Sequence, residues 1–376
     1  MIMSNYPKLI TFSGKDLPEL KELANQEGPL QSTFRKKLDE YLGGRRYSVV
    51  DRMLKAMSGD PHDYMSMGPY WWPNPNTPDG LPYIRRDGEI NPETKDPVTH
   101  STMCSRVYDL ALGAYYYDDT RYSEKAVKMI REWHVDEETY MNPHLEYGQA
   151  VPGHCTGRGI GLIDFAQSYQ LFNGIRILEF LGAIDEDTLT KTKQWYVDFI
   201  NWMLTSEKGV DEDNQHNNHG SWFDVQVAAA ALFTDRPILA KKTLMCAYER
   251  RVTKHIQPDG SQPHELARTH AIGYSTMNLT SLILLGNMAR LNGVKEPYWD
   301  DLEDGKCLIA RAAEYLYYYC THFDEFKYQE IGGKPSPEGA AMQIARMNAL
   351  FPSEKYESDL AAAVTDTMLW RIRPLM

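Results

Sequence analysis

Two polar clusters carry the residues in this chain best able to move protons. The first, Gln215-His216-Asn217-Asn218-His219-Gly220-Ser221-Trp222, ends a polar stretch where an apolar run of helical period begins. Two imidazoles and three carboxamides are more polar than ordinary packing calls for. A helix N-terminus there adds positive potential and free backbone N–H donors, a setting that suits an anionic substrate group. Asn is also a strong N-cap, so the same residues serve equally as an elaborate cap. The second cluster, Gln262-Pro263-His264-Glu265-Leu266-Ala267-Arg268-Thr269-His270-Ala271-Ile272-Gly273-Tyr274-Ser275, brings a carboxylate, a guanidinium, two imidazoles and a phenol together. On one helical turn, Glu265 and Arg268 are neighbours able to pair, which would fix the guanidinium. Together the clusters offer acid, base and anion-binding groups.

These groups need a rigid frame, and the apolar periodicity supplies one made of helices. Helical spacing recurs in Leu17–Leu42, Thr102–Tyr117, Ser123–Trp133, Gly157–Leu181, Thr188–Leu204, Ser221–Phe233, Pro237–His255, Thr276–Leu291, Cys307–Thr321, Gly339–Leu350 and Ser358–Trp370. Asp185, Asp235 and Ser336 mark helix starts, each ahead of acidic or proline-bearing first turns. No comparable series of alternating strands appears, and a short hairpin around Leu81–Ile90 is the one place for a strand pair. The fold class is therefore all-α, with residues 1–376 as one domain.

Three irregular segments interrupt the helices. Gly59–Val98 is long and rich in Pro, Gly, Asn and aromatic residues, including Tyr64, Tyr70, Trp71, Trp72 and Tyr83. A loop this long with so many rings reads as an ordered, substrate-lining loop. Asn142–Thr156 and Gly209–His219 are the others, and loops of this kind gather at the rim of a helical cavity.

Composition narrows the function classes. A net charge of −12 argues against nucleic acid as a partner. An anionic polymer remains compatible only if basic residues converge on one cleft. The chain has 24 tyrosines and 8 tryptophans, flat rings with polar edges of the kind that carbohydrate sites use. No apolar run approaches the roughly 20 residues of a membrane span, and no secretion signal is readable at the start. The five cysteines, Cys104, Cys155, Cys246, Cys307 and Cys320, are scattered without metal or redox spacing and read mostly as buried thiols.

In order along the chain, Gly68-Pro69-Tyr70-Trp71-Trp72-Pro73-Asn74-Pro75 with Asp79-Gly80-Leu81-Pro82-Tyr83, then Gln149-Ala150-Val151-Pro152-Gly153 with Gly157-Arg158, then Asn217-Asn218-His219-Gly220-Ser221-Trp222, then Glu265-Leu266-Ala267-Arg268 followed by Tyr274, form a series of motifs. This series resembles the helical alginate lyase superfamily of polysaccharide lyases, more closely its family-38 than its family-5 branch. The resemblance implies an incomplete (α/α) toroid of helical hairpins with long substrate-lining loops, whose groove holds a uronate polymer such as alginate or glucuronan and cuts it by β-elimination. It places His219 and Tyr274 at the scissile bond. A polymer-degrading enzyme of this kind is expected in the periplasm or outside the cell.

The chemistry fits those residues. A uronate C5 proton is a very weak acid until the C6 carboxylate has its charge shared, a task suited to Asn218 and Arg268 with His219 as a third donor. The C4 oxygen then leaves with a proton from a positioned acid. Tyr274 is able to supply that proton, and if its pKa of about 10 is lowered by Arg268 or a His it is able to take the C5 proton too. His219 is the better base where that proton lies opposite the leaving oxygen.

Arg158 is expected to bind a neighbouring carboxylate. Tyr70, Trp71 and Trp72 are available to stack on sugars, and His100, Gln149, Glu265 and Asn217 to line the site, with His154 and His264 nearby. No His-Glu-x-x-His or paired-Cys spacing is present, so neither a metal nor a cofactor is expected. Asp211, Glu212 and Asp213 lack the ligand periodicity of an EF-hand. A competing enzyme reading is an inverting glycoside hydrolase using Glu265 and Asp224. A non-catalytic glycan-binding toroid would use the same aromatic rings.

Overall fold

A computed structural model of the chain describes residues 6–26, 28–300 and 306–335, with Glu354 and Ser358 beyond them. The expected helices at Gly339–Leu350 and Ser358–Trp370, and the helix start at Ser336, lie outside the described residues apart from Ser358.

The chain runs through α1 (Leu17–Ala24), α2 (Pro29–Leu42), β1 (Met65–Met67), β2 (Trp71–Trp72), β3 (Ile84–Arg85), α3 (His100–Tyr117), α4 (Thr120–His134), β4 (Tyr147–Ala150), α5 (Ser168–Phe180), α6 (Glu186–Thr205), α7 (Glu207–Asp213), α8 (Asn218–Phe233), α9 (Pro237–Ala247), α10 (Thr253–His255), α11 (Pro263–Leu266), α12 (Ala271–Leu291) and α13 (Leu308–Thr321). Helices α3, α5, α8 and α12 pack side by side as an inner row, with α4, α6, α9 and α13 outside them. The fold is an all-α, incomplete (α/α) toroid.

Sequence explains which helices go inside. Val225 to Ala231 on α8 are all buried, as are Leu282 to Ala289 on α12. A helix apolar on every side belongs in the middle of a helical layer, whereas α4 keeps one charged face for solvent. Small residues allow close approach: a Cβ at Gly174 on α5 would press on the backbone of Tyr108 on α3. Helix starts follow cap chemistry. The Asp185 carboxylate accepts from the Thr188 amide at 2.8 Å, and Thr99 accepts from the Thr102 amide at 3.1 Å.

Several boundaries differ from the periodicity. Leu17–Leu42 is two helices, because Pro29 opens a second one. Gly157–Leu181 starts as a 3₁₀ stretch, Gly159–Phe165, where Gly161 lies against the Gly148 backbone. Pro237–His255 passes through a π turn at Tyr248–Val252, which carries Arg251 into the core. Asp235 is not the cap of α9; it adopts φ 57° and pairs with Lys193 and Arg176, while Arg236 holds the cap position.

The segment Gly209–His219, expected to be irregular, is helical at both ends: Gly209–Asp213 lie in α7 and Asn218–His219 open α8. Ser206 caps α7 by accepting from the Gly209 amide at 3.0 Å, and only Asn214–Asn217 link α7 to α8. The expected strand pair exists, but Ile84–Arg85 joins Trp71–Trp72 in an antiparallel ribbon rather than closing within Leu81–Ile90. Strands β1 and β4 pair in parallel. Cys104, Cys307 and Cys320 are buried and Cys155 and Cys246 exposed, all as free thiols. Among the described residues no helix is long and apolar enough to cross a membrane.

Candidate active site

The start of α8 carries the first site group. Asn217 is its N-cap, its side-chain oxygen accepting from the His219 amide at 3.1 Å. A Cβ at Gly220 would collide with the Gln215 carbonyl, so the glycine lets the α7–α8 link fold tightly under the helix start. His219 is thereby aimed back at α7, and its Nδ1 lies 2.9 Å from Oε1 of Glu212.

Glu212 is 0% exposed. Burial pushes its carboxyl up, and His219 pulls it down by charge and hydrogen bond. A carboxylate facing Nδ1 takes the Nδ1–H, which leaves the Nε2 lone pair of a neutral imidazole for another proton.

Asn218 is held just as firmly. Its backbone N–H donates to Glu265 Oε1 at 2.6 Å and its Nδ2 to Glu265 Oε2 at 2.7 Å. Both residues are 1% exposed. Burial pushes the Glu265 carboxyl up, opposed by these two donors. Glu265 is thus a support for Asn218 rather than a substrate ligand, and one hydrogen of the Asn218 amide remains to donate.

The expected Glu265–Arg268 pair does not form. Helix α11 is a single turn that ends at Leu266, so Arg268 departs in another direction. Its Nε and Nη2 donate to the two oxygens of Asp87 at 3.2 and 2.8 Å. The same Nη2 reaches the Tyr274 hydroxyl at 2.8 Å, with the guanidinium 3.9 Å from that ring's centroid. Tyr274, in the first turn of α12, has its hydroxyl 2.5 Å from that of Tyr70.

Burial and the hydrogen bond to Tyr70 raise the Tyr274 phenol above its ordinary pKa, and the Arg268 charge only partly offsets them. The phenol is thus raised rather than lowered, and the resting group is protonated. Tyr70, expected to stack on sugar, is turned to the phenol instead.

Arg158 is a second cation, placed by Gln149 and Trp71. Arg158 donates from Nε to the Gln149 carbonyl and from Nη2 to Gln149 Oε1, both at 3.0 Å. Gln149 sits at φ 48°, anchored by its amide to Ser66 Oγ at 2.8 Å and by Nε2 to Asp164 at 3.3 Å. It therefore holds Arg158 rather than reaching outward. Among the described residues Arg158 has no carboxylate partner within ion-pair distance, and its guanidinium stands 5.9 Å from the Trp71 ring. Trp71 and Trp72 are half-buried in the ribbon, Trp71 beside His154 and Trp72 under Arg86. Asp87 balances both Arg268 and Arg85, and Glu89 lies beside Arg86, so the positive charge an anionic ligand would meet here rests chiefly on Arg158.

His100 does not belong to this surface. It is 0% exposed, stacked on Phe165 at 3.6 Å, with its Nε2 3.2 Å from the Tyr196 hydroxyl. Burial, with His134 and Arg52 nearby, pushes its pKa well down, so it is a neutral core group. Asp224 is committed too, its carboxylate 2.7 Å from Arg251 in the core. With Glu265 also buried, the two carboxylates of the hydrolase reading are both engaged as supports. His264 is exposed and points toward His255, with 6.4 Å between the rings.

Of the acidic triplet, Glu212 faces His219 and Asp213 faces Arg250 and Arg251. Among the described residues no group of three His, Cys, Asp or Glu is placed to hold a metal ion. The supports missed in the sequence are Glu212, Asp87 and Asp164. Glu212 lay in a stretch read as loop, and Asp87 in Arg85-Arg86-Asp87-Gly88 carried no signal beyond that of a turn.

Residues 50–326 match the family model described as alginate lyase. An alginate lyase from Bacteroides ovatus is 34% identical, with a TM-score of 0.88 over 98% of this chain and 100% of that one. Two variants of alginate lyase A1-III complexed with tetrasaccharide share the fold. The histidine-to-alanine variant is 14% identical with a TM-score of 0.60, covering 94% of this chain and 91% of its own. The tyrosine-to-phenylalanine variant is 12% identical with a TM-score of 0.61, covering 99% and 98%. No curated protein sequence matches the chain.

Proposed function

The chain belongs to the alginate lyase family and is a polysaccharide lyase; from that premise we propose that it cleaves alginate, a 1,4-linked uronate polymer, by β-elimination with His219 as base and Tyr274 as acid. One observation carries the division of labour. The imidazole is held by Glu212 with Nε2 open, while the phenol is kept protonated by burial and by Tyr70.

The steps balance without any further reactant. His219 Nε2 takes the C5 proton, and the C5–H electron pair moves into the C6 carboxylate as an enolate. The remaining amide hydrogen of Asn218 and the Nη1 side of Arg268 share that charge as it develops, which is the largest lever on such a barrier. The electrons return to form the C4–C5 double bond, the C4–O bond breaks, and the Tyr274 hydroxyl protonates the departing oxygen. The product is a 4,5-unsaturated uronate at the new end. Arg158 takes the carboxylate of an adjacent uronate, and Trp71 lies alongside to face its ring.

A base and an acid on different residues favour substrates whose C5 proton and C4 oxygen lie on opposite faces. Guluronate meets that condition, whereas mannuronate and the glucuronate of glucuronan carry both on one face. Work on a polymer points to the periplasm or the exterior of a cell. The test is ultraviolet absorbance of the conjugated uronate on mixing the protein with polymannuronate, polyguluronate and glucuronan in turn. A rise on at least one polymer, lost in His219→Ala and Tyr274→Phe, supports the reading. New reducing ends without that absorbance would sink it.

A further inference from the structure

The β2–β3 ribbon places two side chains about the acid, Tyr70 on the phenol itself and Asp87 on the arginine beside it. Tyr70 precedes β2 and Asp87 follows β3, and the Arg86 amide donates to the Tyr70 carbonyl at 2.8 Å, which fixes their relative places. Beyond Asp87 the chain turns at Gly88 with φ 79°, where any Cβ would collide with Thr269 and Ile331. The tip of the ribbon is therefore seated against the segment that carries Arg268. Asp87 meets that segment three times: Arg268 Nε at 3.2 Å, Arg268 Nη2 at 2.8 Å and Thr269 Oγ1 at 3.2 Å.

We propose that Asp87 is a positioning residue for proton donation, taking the Nε/Nη2 edge of Arg268 so that the guanidinium stands over the Tyr274 ring, 3.9 Å from its centroid, with Nη2 on the phenol oxygen. The inference rests on the reading of Tyr274 as the acid. A guanidinium is a planar fork, and an acceptor on one edge sets the direction of the whole group. With that edge taken, Arg268 cannot also make a two-point contact there with the substrate carboxylate, and its Nη1 side is what remains. Asp87 has a second effect through charge. A bare guanidinium at 2.8 Å would favour the phenolate, whereas one balanced by a carboxylate does so far less.

The charged and titratable groups around the phenol are Tyr70 and Asp87 from the ribbon and Arg268 from the α11–α12 link. Arg85 pairs with Asp87 at 2.7 Å, and Glu265 senses the Arg268 charge.

The experiment uses the full chain and a polymer that the wild type cleaves, with kcat and KM followed against pH for Asp87→Asn, Asp87→Glu and Tyr274→Phe, and with melting temperatures alongside. In Asp87→Asn, kcat at the optimum falls by about tenfold or more, as loss of alignment does, while KM stays within about threefold. Its alkaline limb moves down by about 1–2 pH units, because the neighbouring guanidinium is no longer balanced. Asp87→Glu keeps the limb and recovers part of kcat. If circular dichroism shows Asp87→Asn unfolded, Asp87→Ser is read in its place.

A raised KM with kcat and the limb unchanged overturns the inference and makes Asp87 a mere seat for the ribbon. An inactive Tyr274→Phe beside an unmoved limb in Asp87→Asn overturns the inference alone. An active Tyr274→Phe overturns the acid reading and the inference with it.

Discussion

The His219 imidazole and the Glu212 carboxylate face each other at 2.9 Å across the α7–α8 link, with Glu212 wholly shielded from solvent. The link is four residues, Asn214–Asn217, and it lets a buried acid on one helix choose the tautomer of a histidine on the next. Replacing Glu212 with Gln removes that choice. By comparison with the loss of a tautomer-setting carboxylate in serine proteases, kcat should fall by about 10²–10⁴ with little change in KM. Steady-state kinetics on the preferred polymer check this, and a KM effect alone would detach Glu212 from the base.

Tyr70 acts on the phenol from the other side. Its hydrogen bond is one of the influences that raise Tyr274, and the acid must be protonated to work. Activity is therefore present below the phenol's pKa and lost as pH rises through it. Tyr70→Phe should bring the alkaline limb of kcat to lower pH, read from a pH–rate profile to the edge of the folded range. A limb unchanged or moved upward would contradict the assigned contact.

Arg158 and Gln149 should behave as one unit. Arg158→Ala should raise KM for the polymer by about tenfold and leave kcat nearly unchanged, the mark of binding shared by ground and transition states. Gln149→Ala should do the same more weakly, through a guanidinium no longer held. Kinetics on the two single variants and the double variant test it, since independent residues would give additive losses.

The Asp87 carboxyl also bears on acid stability. Burial raises it, but the hydrogen bond and charge of Arg268, with Arg85 and Thr269, bring it down to about 2. Its stabilising contribution is fully present above the ordinary carboxylate pKa of about 3.9 and disappears as pH falls toward about 2. Asp87→Asn should narrow the stability gap to wild type over that window, measured by melting temperature at pH 5, 4, 3 and 2. A gap independent of pH would mean the ion pair contributes nothing.

His100 tests the limits of the site. As a neutral ring stacked on Phe165 in the core, it should act on stability alone. His100→Ala should cost about 3 kcal/mol in denaturant unfolding, in line with truncation of a buried ring, while kcat of the folded fraction is retained.

What was legible in the sequence follows from the range of each signal. Helical period is local and strong, so α3, α4, α6, α8, α12 and α13 were placed to within a few residues. Breaks set by tertiary contact were not: the 3₁₀ stretch before α5 depends on Gly161 meeting Gly148, which no periodicity records. The groups proposed to act at the scissile bond stood out because His219, Asn218, Arg268 and Tyr274 cluster in two short segments. Their supports did not. Glu212 acts across a helix link and Asp87 lies 181 positions from Arg268, so the carboxylates that orient the site are visible only once the chain has folded. His100 shows the converse, since a polar residue at a helix start reads alike whether it faces a groove or a core.

The central claim is the division of roles between His219 and Tyr274, and leaving-group chemistry separates them. A uronate carrying a nitrophenoxy group at C4 needs no proton to expel it, whereas loss of the C5 proton still needs a base. Release of nitrophenolate would be followed for wild type, His219→Ala and Tyr274→Phe. The account predicts that Tyr274→Phe regains most of the wild-type rate on this substrate while His219→Ala stays inactive. Recovery in His219→Ala with none in Tyr274→Phe would contradict it and make the tyrosine the base.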